Sequence, residues 1–305
     1  SAELHVEALP APLEVAGPDA QHCPADGIVY RREAGIWRFL LPERAAYFAQ
    51  FIAEYELVRQ AEGRGTKDSA YYRALPFEDR SSRHVGEWRI RATSFQTLLQ
   101  RVLVPLEKAS TRPLQVLDLG AGNAWLSHRL AQRGHRVAAI DLLTNELDGL
   151  GAHVHYEVHF APVQSEFTRL PFVGSQVDLA VFNGALHYST DYGETLREAL
   201  RVLREDGRLV ILDSPVYHDD SSGQLMVQER EDRFTEAYGI PSNAIPTENY
   251  FTRDRLGQLA DALGLEWQII APFYGLRWAL RAWKAGLLGR REPASFLLIV
   301  GKRRS

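Results

Sequence analysis

The spacing of apolar and polar residues changes character near residue 115. From there on, short apolar runs alternate with segments in which apolar residues recur every three or four positions, the pattern of a parallel α/β sheet. Residues 115–119 (QVLDL) predict a strand that ends at a glycine turn. Residues 123–133 predict a helix with Trp125, Leu126 and Leu130 on its buried face. Residues 136–141 (RVAAID) read as a second strand, and 177–182 and 208–213 as two more buried ones. Between the last pair, residues 194–203 predict an amphipathic helix closed by Glu205, Asp206 and Gly207. Thr252 is placed to cap a helix over 252–263, and strands at 267–270 and 296–300 finish the pattern.

The first 110 residues lack this alternation. Residues 1–41 are proline-rich with polar turns, and Asp26-Gly27 signals a hairpin between Cys23 and Tyr30. A helix over 43–62 carries Tyr47, Phe51, Tyr55 and Val58 along one stripe. After a polar break at 63–69, residues 88–104 predict a helix leading into the first strand. The expected organisation is a segment 1–65, a domain 66–305, and an insertion at 214–250 within it.

Composition narrows the classes. With 45% hydrophobic and 24% charged residues, the chain holds enough apolar matter for a sizeable core and is not disordered. A net charge of −4 removes the global basic excess of a dedicated nucleic-acid binder. The single cysteine, Cys23, excludes an internal disulfide and any site needing two cysteine ligands. No membrane-spanning run and no signal peptide are recognisable, so the expected location is the cytoplasm.

The chemistry concentrates in Val116–Trp125 (VLDLGAGNAW). A strand delivers Gly120 and Gly122 at a turn that opens a helix, so a ligand can approach bare backbone and unpaired N–H groups. The third position of a dinucleotide fingerprint is Trp125, which argues against close packing around a pyrophosphate. Asp118 would repel a pyrophosphate but could accept hydrogen bonds from an ammonium group, and Asp141, nineteen residues after Gly122, could take two ribose hydroxyls.

An ammonium partner, a ribose partner and a glycine turn together resemble the first motif of the class I S-adenosylmethionine-dependent methyltransferases. The likeness continues through Glu166–Phe172 (EFTRLPF), Phe182–Tyr188 (FNGALHY) and Leu200–Leu209, and spans residues 115–303. It implies a Rossmann-like, seven-stranded, mostly parallel sheet with helices on both faces, an N-terminal appendage and a helical lid. It implies S-adenosylmethionine as cofactor and S-adenosylhomocysteine as product. Asp118, Gly120, Gly122 and Asn123 would hold the methionine portion, and Asp141 with Leu142 the ribose. Glu166 would meet the adenine amino group beside Phe167, Asn183 would line the floor near the sulfonium, and Tyr72 and Arg91 would reach over the cofactor, Arg91 toward the carboxylate. His187 is the candidate base. Its alternative is a structural histidine bonded within its loop.

The implied reaction is methyl transfer to O, N or C of a small metabolite held under residues 214–250. An RNA methyltransferase and a non-catalytic cofactor-binding subunit are the alternatives. Asn183-Gly-Ala-Leu lacks the Asn-Pro-Pro-aromatic motif used on exocyclic amino groups. His22–Tyr30 resembles half of a zinc ribbon stripped of its cysteine pairs, with Asp26 where a ligand would stand, so no metal is expected. His153, His155 and His159 alternate as if on a strand without completing a ligand set. Residues 276–291, with Trp278, Trp283 and several arginines, read as a helix over the pocket, or as a basic surface for membrane or RNA.

Overall fold

A computed structural model describes residues 14–24 and 27–304. Four short strands come first, β1 (Glu14–Gly17), β2 (Ala20–His22), β3 (Val29–Glu33) and β4 (Ile36–Arg38). Four helices follow, α1 (Pro42–Ala61), α2 (Ser69–Ala74), α3 (Val85–Leu98) and α4 (Val104–Ala109), with a π turn between the last two. The alternating region opens with β5 (Gln115–Leu119), α5 (Trp125–Gln132) and β6 (Arg136–Asp141). It continues with β7 (Ala161–Gln164), β8 (Val177–Asn183), α6 (Tyr192–Val202) and β9 (Leu203–Leu212). Next come β10 (Pro215–Tyr217), α7 (Asp220–Tyr238), β11 (Phe251–Thr252), α8 (Arg253–Leu263) and β12 (Leu265–Ile270). Finally α9 (Leu276–Ala279), α10 (Arg281–Leu287), β13 (Ser295–Phe296) and β14 (Leu298–Arg303) end the chain.

One sheet organises these pieces, in the order β1-β2-β3-β4-β7-β6-β5-β8-β9-β14-β12. The strands from β4 to β9 in this order run parallel, while β14 runs antiparallel to both its neighbours, β9 and β12. The sheet is mostly parallel, as expected, but it holds eleven strands in place of seven, because the four N-terminal strands join it. The extension follows from Trp37 and Arg38 pairing with Val163 and Gln164, a long-range contact that carries no local sequence signal. A smaller sheet, β11-β10-β13, stands beside it.

Side chains alternate across the pleat and so build two cores. Leu117, Leu119, Ala180 and Phe182 face Tyr192, Leu196 and Leu256 of α6 and α8. Val116, Leu179 and Val181 face Trp125 and Leu126 of α5 and Trp88, Phe95 and Leu98 of α3. Tyr30, Phe39 and Leu41 belong to the first of these cores, and the Tyr30 and Phe39 rings lie 4.8 Å apart. Cys23 is buried there as well. The N-terminal strands therefore share the sheet and the core of the α/β region. Asp26 lies outside the described residues, and no group of three or more metal-ligating side chains occurs among those described.

Helix caps set several boundaries. Asp191 accepts from Glu194 N at 2.8 Å and Thr252 from Arg255 N at 3.1 Å, each satisfying an orphan first-turn donor. Three expectations change. Glu205, Asp206 and Gly207 lie within β9, which starts at Leu203 directly after α6. His153 and His155 sit on a 3-10 helix, Leu150–His155, where packing beneath α2 overrides their alternation. The last strand begins at Leu298, because Ser295 and Phe296 pair with β10 instead.

Candidate functional site

The carboxyl ends of β5, β6 and β8 meet beneath α1, and a cavity opens between them. Gly120 (φ +77°) and Gly122 (φ +53°) turn the chain from β5 toward α5 in the left-handed region that glycine tolerates best. A Cβ on Gly120 would collide with the Cβ of Ala185. Asp141, at the end of β6, accepts from Gly122 N and Leu143 N, both at 2.8 Å, and so braces this turn. Burial raises its carboxyl above the ordinary range despite these bonds.

Asp118 lies deeper. One oxygen accepts from the Ser127 amide and hydroxyl, at 3.0 and 2.7 Å, and the other is buried with no hydrogen-bond partner. Desolvation pushes this carboxyl up to about 7, outweighing the help from Ser127. An unpaired buried acceptor beside a glycine turn is the kind of group that a donor-bearing ligand would satisfy. Asn123 accepts from Trp125 N at 3.3 Å and so starts α5, while its carbonyl takes the Tyr156 hydroxyl at 2.9 Å.

The loop after β7 supplies Glu166, Phe167 and Thr168 to the same cavity. Glu166 is already engaged: Arg44 of α1 donates from Nη2 at 2.6 Å and from Nε at 2.9 Å. Burial of Arg44 is light, and the bond to Glu166 raises its pKa. The sequence-based role of Glu166 toward an adenine amino group thus meets a competitor from a helix 122 residues away in sequence. The enclosed volume is about 110 Å³. That is below the ~300 Å³ of an ordinary small-molecule site, because α1 lies down on the pocket.

A second cavity of about 240 Å³ adjoins the first through Phe51, Tyr55, Tyr188 and Ile245, which line both. Arg59, Arg64, Arg91 and Arg230 give it positive walls. Arg59 pairs with Asp148, and Arg64 with Glu62 and Glu87. Arg91 lies 5.0 Å from the Trp88 ring, and its charge is felt by Glu87 and Asp213. Arg230 has a buried Nε without a hydrogen-bond partner. Neither Arg91 nor Arg230 has a carboxylate within salt-bridge range among the described residues.

Of the residues singled out by sequence, Gly120, Gly122, Asp141, Leu142, Glu166 and Phe167 line the first cavity and Arg91 the second. Asn183 ends β8 immediately before Gly184, which lines the first cavity. Tyr72 does not reach over the pocket: it is fully buried, donates to the carbonyls of Leu147 and Thr66, and stacks 4.4 Å from His155. His187 is held 3.3 Å from the Ser214 hydroxyl, with its ring centre 4.3 Å from that of Tyr188. Burial pushes its pKa down to about 3, aided by Arg230 and Arg91, so it is a neutral and feeble base at physiological pH. Sequence reasoning missed Arg44, Thr195 and Ile245. It saw Phe51 and Tyr55 only as a packing stripe, yet they form the partition between the cavities. Asp213, outside both cavities, accepts from Ser94 at Oδ1, and its Oδ2 is buried without a partner.

Comparison with known proteins assigns this region. Residues 117–211 match the family described as a methyltransferase domain. Malonyl-[acyl-carrier protein] O-methyltransferase of Hahella chejuensis is 33% identical over 100 residues, 32% of this chain and 36% of that protein. Ubiquinone/menaquinone biosynthesis C-methyltransferase of Vibrio vulnificus is 31% identical over 128 residues, 37% of this chain and 46% of that protein. The chain thus spans less than half the length of these curated relatives. Among solved structures, a chain from the complex of the Haloferax volcanii Trm112 methyltransferase activator with a methyltransferase superposes with a TM-score of 0.50. It is 16% identical, and the match covers 78% of this chain and 97% of that one, a likeness of fold. Residues 117–211 therefore form a methyltransferase domain like those of S-adenosylmethionine-dependent enzymes, and S-adenosylmethionine is its cofactor.

Proposed function

We propose that the chain transfers a methyl group from S-adenosylmethionine to O, N or C of a small, anionic acceptor seated in the second cavity. The observation that carries this reading is the pair of adjoining cavities, one built on the glycine turn and Asp141, the other walled by arginines. The residues suit the cofactor. Asp141 and Leu142 line the first cavity and are the residues that would hold a ribose, and Gly120 and Gly122 leave backbone bare, whereas Asp118, fully buried behind the turn, lines neither cavity. When bound, the cofactor supplies a sulfonium-activated, electrophilic methyl group. Phe51, Tyr55 and Tyr188 form the partition, which excludes water and aligns the acceptor; alignment supplies most of the rate in such a transfer.

Arg91 and Arg230 are charges in search of a partner, so an acceptor carrying a carboxylate or phosphate gains two cationic contacts. The insertion at 214–250 contributes Arg230, Phe234, Ser242, Ile245 and Thr247 to this cavity, which supports its reading as the acceptor cap. His187 serves as a packed, neutral member of the loop, and its substitution would act through the shape of the partition.

The test is transfer of labelled methyl from S-adenosylmethionine into the filtered small-molecule fraction of a lysate. A labelled product retained by an anion exchanger is expected. It should disappear with Asp141→Asn, and Arg230→Gln should raise the acceptor KM without weakening S-adenosylhomocysteine binding. Labelling confined to RNA or protein would contradict the reading.

A further inference from the structure

Residues 273–291 include Arg277, Arg281, Lys284, Arg290 and Arg291 and no acidic residue, in a chain whose net charge is −4. They hold α9 and α10, and their packing is the reverse of a globular helix pair. The inward side carries Trp278, whose ring centre is 4.9 Å from that of Tyr274 and 5.7 Å from that of Phe296. Arg281 lies over the Trp278 ring at 3.1 Å and donates to the Ala294 carbonyl at 2.8 Å.

The outward side carries the large apolar residues. Leu276, Leu280, Trp283 and Leu287 are 74%, 57%, 67% and 67% exposed, and their spacing of four, three and four residues puts them on one stripe. Phe273 and Leu288, 71% and 54% exposed, extend it. The sequence left two readings of this segment, a helix packed over the pocket or a basic surface for membrane or RNA; the structure turns the apolar stripe to the outside. An apolar patch of this extent is costly in water unless something covers it. Leucine and tryptophan bordered by arginine and lysine match the boundary between acyl chains and anionic headgroups.

We propose that α9 and α10 form a peripheral docking surface for anionic phospholipid membranes. The stripe enters the acyl boundary, and Arg277, Lys284 and Arg290, all exposed, meet the headgroup phosphates. Charge complementarity selects this occupant: the patch is cationic while the whole chain is anionic, so a negative surface attracts this face and repels the bulk of the molecule. No helix among the described residues is long and apolar enough to cross a membrane, so attachment is to one leaflet. Arg291, at the end of the segment, pairs with Glu229 of α7 at 2.7 Å, and the next residue, Arg230, lines the second cavity. Docking therefore holds the acceptor-side helix beside the lipid surface.

The test is sedimentation of the full chain with phosphatidylcholine vesicles, with and without phosphatidylglycerol. Partitioning about tenfold stronger into the anionic vesicles, and weakened by salt, is expected. Trp283→Glu with Leu287→Glu should abolish it without lowering the thermal midpoint, since both side chains lie in water. Lys284→Glu with Arg290→Glu should remove the preference for phosphatidylglycerol. Failure of the wild-type chain to bind either vesicle, or equal binding by the stripe variant, overturns the proposal. Dimerisation abolished by the stripe variant, or binding to homopolymeric RNA in place of vesicles, assigns the patch to another occupant and overturns it too. None of these readouts depends on methyl transfer, so a failed docking test and a failed function test are told apart.

Discussion

At the scale of single residues, burial has pushed two groups away from their ordinary charge states, in opposite directions. Asp118 holds its proton up to about 7 in the folded chain, against an ordinary value of 3.8. Between those values folding takes up a proton, so stability falls as pH rises, by ~1.4 kcal/mol for each unit crossed. Asp118→Asn removes the buried charge, and its thermal midpoint should gain on the wild type from pH 5 to about pH 7 and then hold a constant lead. A constant offset between the two over the whole range would show that Asp118 ionises freely. His187 works the other way. It stays neutral down to about 3, whereas the unfolded chain takes a proton near 6.5, so acidification through this window costs stability. His187→Gln should flatten that acid limb; chemical denaturation at a series of pH values measures it. The positions of the carboxylates at 118 and 141 on β5 and β6 were legible from sequence because strands and a glycine turn fix them, though only Asp141 lines the cavity. The state of His187 was not, because it depends first on burial and then on Arg230 and Arg91, all set by the tertiary fold.

At the scale of elements, the decisive piece is α1. Its stripe was readable as helical, but a 3.6-residue period gives the face of a helix and not its neighbour. Only the fold reveals that Phe51 and Tyr55 divide two cavities and that Arg44 reaches Glu166. The Arg44–Glu166 pair closes the cavity, and a nucleoside that reaches Glu166 must displace it. Arg44→Ala should therefore tighten S-adenosylhomocysteine binding by about fivefold, the equivalent of ~1 kcal/mol for a part-exposed ion pair. Weaker binding would mean that Arg44 itself holds the ligand. The glycine turn is the opposite case, fully legible and intolerant. Gly120→Ala combines a positive φ with a collision against Ala185, and should cost about 2 kcal/mol or more along with ligand binding. Urea unfolding of the variant measures the first effect and calorimetry the second.

At the scale of the molecule, the sequence divided the chain near residue 65, and the sheet does not. Parallel pairing of β4 with β7 and a shared core make the first strands part of the α/β unit. Ile36 is almost fully buried at that junction, so Ile36→Ala should cost ~2–5 kcal/mol and lower a single cooperative transition. A separate early transition would instead mark an independent N-terminal unit. The α/β order was legible because each strand and helix carries its own period; the edge pairing was not, because no local pattern encodes which strand receives β4. The same limit left open whether α9 and α10 cover the pocket or turn outward, two readings the sequence offered side by side. What joins all three scales is the proposal that the cofactor is held between the glycine turn and Asp141, which line one cavity. Isothermal titration with S-adenosylhomocysteine tests this most directly: micromolar binding by the wild-type chain and its loss in a folded Asp141→Asn variant are predicted, whereas no binding, or binding that survives the substitution, would contradict the account.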